Sequence, residues 1–153
     1  MAAEPTGGGE RILIVEDDAS YRSYLEERLR RDGHRTAAVA DAPSGLSSLD
    51  DFGPTILITD LAMPGMGGLE LCREVRRRPA WRHLPILVIS GADESASIGE
   101  VVGLGLIWYL SKGATWEHLE KTLGNLIARA HDTFPEPAGP ESPRNGQELG
   151  SGR

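Results

Sequence analysis

Ile56-Leu57-Ile58-Thr59-Asp60-Leu61-Ala62-Met63-Pro64-Gly65-Met66-Gly67-Gly68 is the stretch on which the reading of this chain turns. Four residues of strand character run straight into an aspartate, and the backbone then turns at proline and glycine before a helical pattern starts at Leu69. A carboxylate delivered by a buried strand onto a loop lies at the carboxyl edge of a sheet, where open α/β folds bind their ligands. Proline and glycine there supply turn geometry and allow close backbone approach. Taken alone, the stretch fits equally well an aspartate that only caps a helix or closes a turn.

Other strands of the same kind lie on either side. Arg11-Ile12-Leu13-Ile14-Val15 is a continuous aliphatic run that suits a strand buried on both faces, and it ends in Glu16-Asp17-Asp18. Pro85-Ile86-Leu87-Val88-Ile89-Ser90 repeats the pattern and ends in a hydroxyl residue before Gly91-Ala92. Ile107-Trp108-Tyr109-Leu110 leads into Ser111-Lys112-Gly113, and the less hydrophobic His34–Ala40 reads as an edge strand. Helical patterns separate these strands. Tyr21, Leu25 and Leu29 mark a helix over Ser20–Arg31, and Asp41-Ala42-Pro43 opens one that runs to about Asp51. Leu71, Cys72 and Val75 give the buried side of a helix over Leu69–Arg78, with Arg76-Arg77-Arg78 read as its solvated basic end. Asp93 to Val102, with small residues and glycines up to Gly105, reads as a weak fourth helix. Thr115 caps a last helix with Trp116, Leu119, Leu123, Leu126, Ile127 and Ala130 on one stripe. Five β-α units in succession predict an α/β fold with right-handed crossovers and a parallel five-stranded sheet covered on both faces.

The bulk numbers fit that reading. The chain has 153 residues, enough for one domain with tails, and 39% hydrophobic with 25% charged residues suits a globular protein. A formal net charge of −7 argues against a general nucleic-acid or anionic-membrane binder. The single cysteine, Cys72, excludes an intrachain disulfide and points to a reducing, cytoplasmic setting. No apolar run approaches membrane-spanning length. Residues 1–10 read as a flexible leader, 11–131 as the domain, and 132–153 as a disordered tail rich in Pro and Gly. That tail lacks helical stripes and basic clusters, so no DNA-binding module is expected in it.

Placed on the fold, the notable polar residues gather at strand ends: Glu16 and Asp17 after the first, Asp60 after the third, Ser90 after the fourth and Lys112 after the fifth. Carboxylates with free oxygens suit Mg²⁺, a hard ion that keeps waters and takes a few carboxylates. A lysine neutralises additional anionic charge, and a serine hydroxyl donates to a phosphoryl oxygen. These are the parts of a phosphoryl-transfer site, with Asp60 as a nucleophile that forms an acyl phosphate.

With these motifs in view, the sequence resembles the receiver domains of bacterial two-component response regulators over about Arg11 to Ala130. The motifs are Ile-Leu-Ile-Val-Glu-Asp-Asp, Ile-Thr-Asp-Leu-Ala-Met-Pro-Gly-Met-Gly-Gly, Pro-Ile-Leu-Val-Ile-Ser-Gly and Tyr-Leu-Ser-Lys. The resemblance implies a flavodoxin-like, doubly wound sheet of order 2-1-3-4-5. It implies that Asp60 takes a phosphoryl group from a sensor histidine kinase or phosphotransfer protein. Glu16 and Asp17 would position Mg²⁺, with Asp60 and the Ala62 carbonyl as further ligands. Ser90 matches the conformational hydroxyl, Lys112 the phosphate-pairing lysine and Tyr109 the aromatic switch residue. In this picture the chain is a stand-alone switch for protein–protein contacts with an unknown downstream target, and not an enzyme beyond its own phosphorylation and dephosphorylation. Homodimerisation is left open.

Gly113 stands where such domains usually carry proline, so a trans bond after Lys112 is expected. Ala62 and Ala92, two residues past Asp60 and Ser90, are small, which predicts a site open to water. The competing reading is a phosphorylation-independent pseudo-receiver, against which retention of the five site residues argues. A related phosphoaspartyl hydrolase would need a second aspartate where Ala62 stands.

Overall fold

The aliphatic runs become strands because both of their faces are covered. In the computed structural model, which describes residues 9–91, 99–101 and 103–133, strands β1 (Arg11–Val15), β2 (Arg35–Val39), β3 (Ile56–Thr59), β4 (Ile86–Ser90) and β5 (Ile107–Ser111) form one sheet of order β2-β1-β3-β4-β5. All neighbours pair in parallel, with Val15 beside Thr59 and Ser90 beside Ser111. The carboxyl ends of β1, β3, β4 and β5 therefore finish along one edge.

Alternation along each strand divides the core in two. Leu13, Val15, Leu57, Ile86 and Val88 face helices α2 (Ala42–Phe52) and α3 (Gly68–Arg77) through Leu49, Leu71, Cys72 and Val75. Ile12, Ile14, Ile56, Ile58, Leu87 and Ile89 face helix α1 (Ala19–Arg31) and the C-terminal helix Trp116–Thr133 through Leu25, Leu29, Leu119, Leu123 and Leu126. Each fully buried aliphatic side chain contributes about 1.5–3 kcal/mol, so a polar substitution in these runs would forfeit the sheet's main support. The edge strand β2 has no fully buried residue, in keeping with its weaker pattern.

The caps at Asp41 and Thr115 fall where the sequence puts them, and Asp18 supplies that of α1. Asp18 accepts from the amides of Ser20 and Tyr21, Asp41 from Ser44, and Thr115 from His118. Two features depart from expectation, and a third expectation is only partly covered by the described residues. A 3₁₀ turn at Pro79–Trp81 follows α3, tied to α2 by the Trp81 indole donating to Asp50. Arg76 is not part of a solvated basic end: it reaches back to the carbonyls of Leu104 (2.8 Å) and Leu106 (3.4 Å). Of the expected fourth helix, residues 92–98 and 102 lie outside the described residues. Residues 99–101 are helical, in keeping with that expectation, and the chain turns over 103–106 with Gly105 at a left-handed φ of 105°. The leader and tail lie outside the described residues over 1–8 and 134–153.

Candidate functional site

The three adjacent acids after β1 have separate roles. Asp18 is spent on the cap of α1. Glu16 is buried, and its Oε2 accepts the Asp18 amide at 3.0 Å while Arg22 binds its carbonyl at 2.9 Å. Asp17 between them is exposed. Beside them, at the end of β3, Asp60 is 5% exposed; its amide donates to the Val15 carbonyl (3.3 Å) and its Oδ1 accepts the Ala62 amide (3.2 Å).

The turn after Asp60 works because two glycines allow it. Gly65 takes a φ of 73°, and the Gly68 amide returns to the Leu61 carbonyl at 2.9 Å. A Cβ on Gly68 would sit 2.0 Å from the Asp60 carbonyl oxygen, so α3 starts directly against the backbone that carries the acid.

From β5, the Lys112 amide donates to the Ser90 carbonyl (2.9 Å), and the side chain crosses to the acids. Its ammonium lies 2.9 Å from Asp60 Oδ2 and 3.1 Å from Glu16 Oε1, and 4.8 Å from the centre of the Tyr21 ring. Among the described residues no peptide bond is cis, so the bond to Gly113 is trans, and the Gly113 amide donates to Ser111 Oγ. Ser90 is wholly buried, and among the described residues its hydroxyl has no hydrogen-bond partner. Tyr109 is half-buried against the α2–α3 side of the core and makes none of the contacts to Asp60. Ala62 is exposed; Ala92 lies outside the described residues.

Burial lifts the Glu16 carboxyl above its usual range, opposed by the Asp18 amide and Lys112 and aided by the Asp60 charge. Burial alone would lower Lys112, but its hydrogen bonds and charge attraction to Asp60 and Glu16 prevail and raise it. Burial pushes the Tyr21 phenol up to about 12; Lys112 opposes this, and the charges of Glu16 and Asp60 add to it.

Oxygens of Glu16, Asp17 and Asp60 all lie within 4.8 Å of one another, a hard-oxygen set facing a single ammonium. That donor set fits Mg²⁺, and the uncompensated negative charge favours a cation. The structure thus brings Glu16, Asp17, Asp60 and Lys112 together, with Ser90 at the neighbouring strand end and Tyr109 apart. The sequence set Tyr21 with Leu25 and Leu29 on the apolar stripe of its helix and gave no sign of the contact Arg22 makes to the Glu16 carbonyl. An aromatic in the first turn of a helix that follows an acidic loop is the signal that points to Tyr21.

Residues 12–124 match the family model of the response regulator receiver domain. The chain is 33% identical over 120 residues to the two-component response regulator PhoP of Pseudomonas aeruginosa, covering 78% of this chain and 52% of the relative. It is 36% identical over 123 residues to the sensory transduction protein RegX3 of Mycobacterium tuberculosis, covering 79% and 52%. The chain thus spans about half the length of these curated relatives. The chemotaxis protein CheY4 of Vibrio cholerae superposes with a TM-score of 0.72 at 26% identity, over 78% of this chain and 99% of that one. With the sheet order, the acidic edge and the matched span in agreement, the chain belongs to the response regulator receiver domain family.

Proposed function

We propose that this domain accepts a phosphoryl group on Asp60 from a phosphohistidine of a sensor histidine kinase or phosphotransfer protein, and that the acyl phosphate alters its contacts with a downstream protein. The observation that carries this reading is the Lys112 ammonium held between Asp60 Oδ2 and Glu16 Oε1 from separate strand ends. An Asp60 oxygen forms the new bond to phosphorus as the bond from phosphorus to the imidazole nitrogen breaks, and the imidazole keeps that electron pair. Lys112 faces the charge that grows on the phosphoryl oxygens. The orphaned Ser90 hydroxyl has its donor to give to one of them.

Glu16, Asp17, Asp60 and the Ala62 carbonyl would hold Mg²⁺, which when bound neutralises phosphoryl charge. The output side of the reading rests on Ser90 and Tyr109 as the groups that respond, with a protein surface as the readout. Chemistry is limited to the domain's own phosphorylation and dephosphorylation, in the cytoplasm, and the net charge of −7 speaks against nucleic acid as the partner of this domain. No helix among the described residues is long and apolar enough to cross a membrane.

Intact mass after incubation with Mg²⁺ and acetyl phosphate tests the reading. One phosphoryl adduct is expected on the wild type and none on Asp60→Asn. An unmodified wild type, with fresh donor and Mg²⁺ present, would overturn it.

A further inference from the structure

The ammonium of Lys112 has a third neighbour that phosphoryl transfer by itself does not call for. We propose that Tyr21 is a positioning residue of the Asp60 site, its ring face seating the Lys112 ammonium between the Glu16 and Asp60 carboxylates. The inference rests on the phosphoacceptor reading for its functional consequence, though not for its geometry.

Lysine is a point charge on a flexible four-carbon stem, and ordering it costs rotamer entropy. Here the stem leaves a loop that continues into Gly113, a residue that restricts the backbone little. The side chain is 27% exposed, so water competes for its charge. Two carboxylates reach it from β1 and β3, and the Tyr21 ring closes the arrangement from α1 with its centroid 4.8 Å from Nζ. That is within the range at which a ring face attracts a cation.

The ring is itself well fixed. The Tyr21 amide is held by Asp18 Oδ1 at 3.2 Å, so the acid beside Glu16 and Asp17 also sets where the ring begins. Tyr24 packs 5.8 Å from Tyr21 at 33°, and Trp116 meets Tyr24 edge-on at 5.7 Å and 82°. Arg28 lies 4.7 Å over Trp116. The platform under Lys112 is therefore braced across to the C-terminal helix. A phosphoryl group arriving on Asp60 needs the ammonium already close, and loss of the platform would leave the carboxylates to hold it alone.

The test compares the full chain as wild type, Tyr21→Phe and Tyr21→Leu, with urea unfolding to check that each is folded. Tyr21→Met serves as the second non-aromatic variant if leucine is not tolerated. First, with no phosphodonor, NMR on ¹⁵N-lysine-labelled protein reads how fast the Lys112 ammonium protons exchange with water. Exchange in Tyr21→Phe is expected to match wild type and in Tyr21→Leu to be about three- to fivefold faster, the factor that one exposed cation–ring contact supplies. Second, with Mg²⁺ and acetyl phosphate, the saturating rate of phosphoryl gain is expected to fall about three- to fivefold in Tyr21→Leu, at little-changed KM, and to be kept in Tyr21→Phe. Equal ammonium exchange in all variants, or loss in Tyr21→Phe as large as in Tyr21→Leu, overturns the positioning role. No adduct on any of the proteins overturns the phosphoacceptor reading alone, and the exchange comparison still decides Tyr21.

Discussion

At Gly68 a hydrogen in place of a methyl group decides whether Asp60 can stand where it does. A Cβ there would lie 2.0 Å from the Asp60 carbonyl oxygen, 2.7 Å from Leu61 Cα and 2.9 Å from the Asp60 carbonyl carbon. All three are backbone atoms, which cannot swing away as a side chain would. Gly68→Ala is therefore expected to destabilise the domain by about 1–3 kcal/mol, the range for overpacking a tight site, read as a lower urea midpoint. Gly91→Ala is the matched control: among the described residues no atom beyond its chain neighbours lies within 4 Å of its added Cβ, and its cost should stay within about 0.5 kcal/mol. Equal midpoints for the two variants would show that α3 does not need its close approach to Asp60. Ser90 carries another cost at this scale. A buried hydroxyl with no partner among the described residues forfeits about 1–3 kcal/mol.

Between elements, the start of β2 is tied to the residue before β1 by a bond that depends on protonation. The Glu10 amide donates to His34 Nδ1 at 3.0 Å, and the Glu10 carboxylate accepts the Thr55 hydroxyl at 2.8 Å. Burial holds the His34 pKa below its usual 6.5, against the opposing charges of Asp32 and Glu10. The unfolded chain therefore takes up the proton first as pH falls. The stability that neutral His34 provides is complete above 6.5 and is lost as pH drops through the lower folded value. Urea midpoints taken from about pH 8 to about pH 5.5 should decline in the wild type and flatten in His34→Asn, whose amide oxygen can accept the same bond without titrating. A wild-type profile already flat over that window would remove His34 as the cause. Most strands and caps were legible in the sequence because they follow from aliphatic runs and from Asp and Thr at run ends, whereas the sheet order came only through the family resemblance. The contacts of Arg76 and Tyr21 were not legible. A long guanidinium can serve equally as a solvated helix end or as a clamp on the Leu104 carbonyl, and only the packed fold chooses. Tyr21 shares the periodicity of Leu25 and Leu29, which hides that its face is turned to an ammonium. The acids and Lys112 were legible because each stands at or just past the carboxyl end of an apolar strand run.

For the molecule as a whole, the net charge of −7 makes any salt somewhat stabilising, since screening relieves repulsion among the acids. Binding at a built site must go beyond that. Glu16, Asp17 and Asp60 crowd their oxygens within 4.8 Å, and Lys112 compensates only part of their charge. A ligand that binds only the folded state adds stability by mass action, about 2.7 kcal/mol at a hundred times its Kd. Mg²⁺ should therefore raise the Tm above that in NaCl of equal ionic strength, and EDTA should remove the increment. Asp17→Asn separates the two effects, because Asp17 is exposed and takes no part in holding Lys112. Without Mg²⁺ the variant should equal or exceed the wild type in Tm, as a like charge has left the cluster. With Mg²⁺ it should fall below, because a ligand has been lost as well. The crossing of the two orders is the signature of a metal site assembled at the expense of the unliganded fold. Parallel curves in Mg²⁺ and NaCl would reduce the acidic edge to a patch that any cation screens.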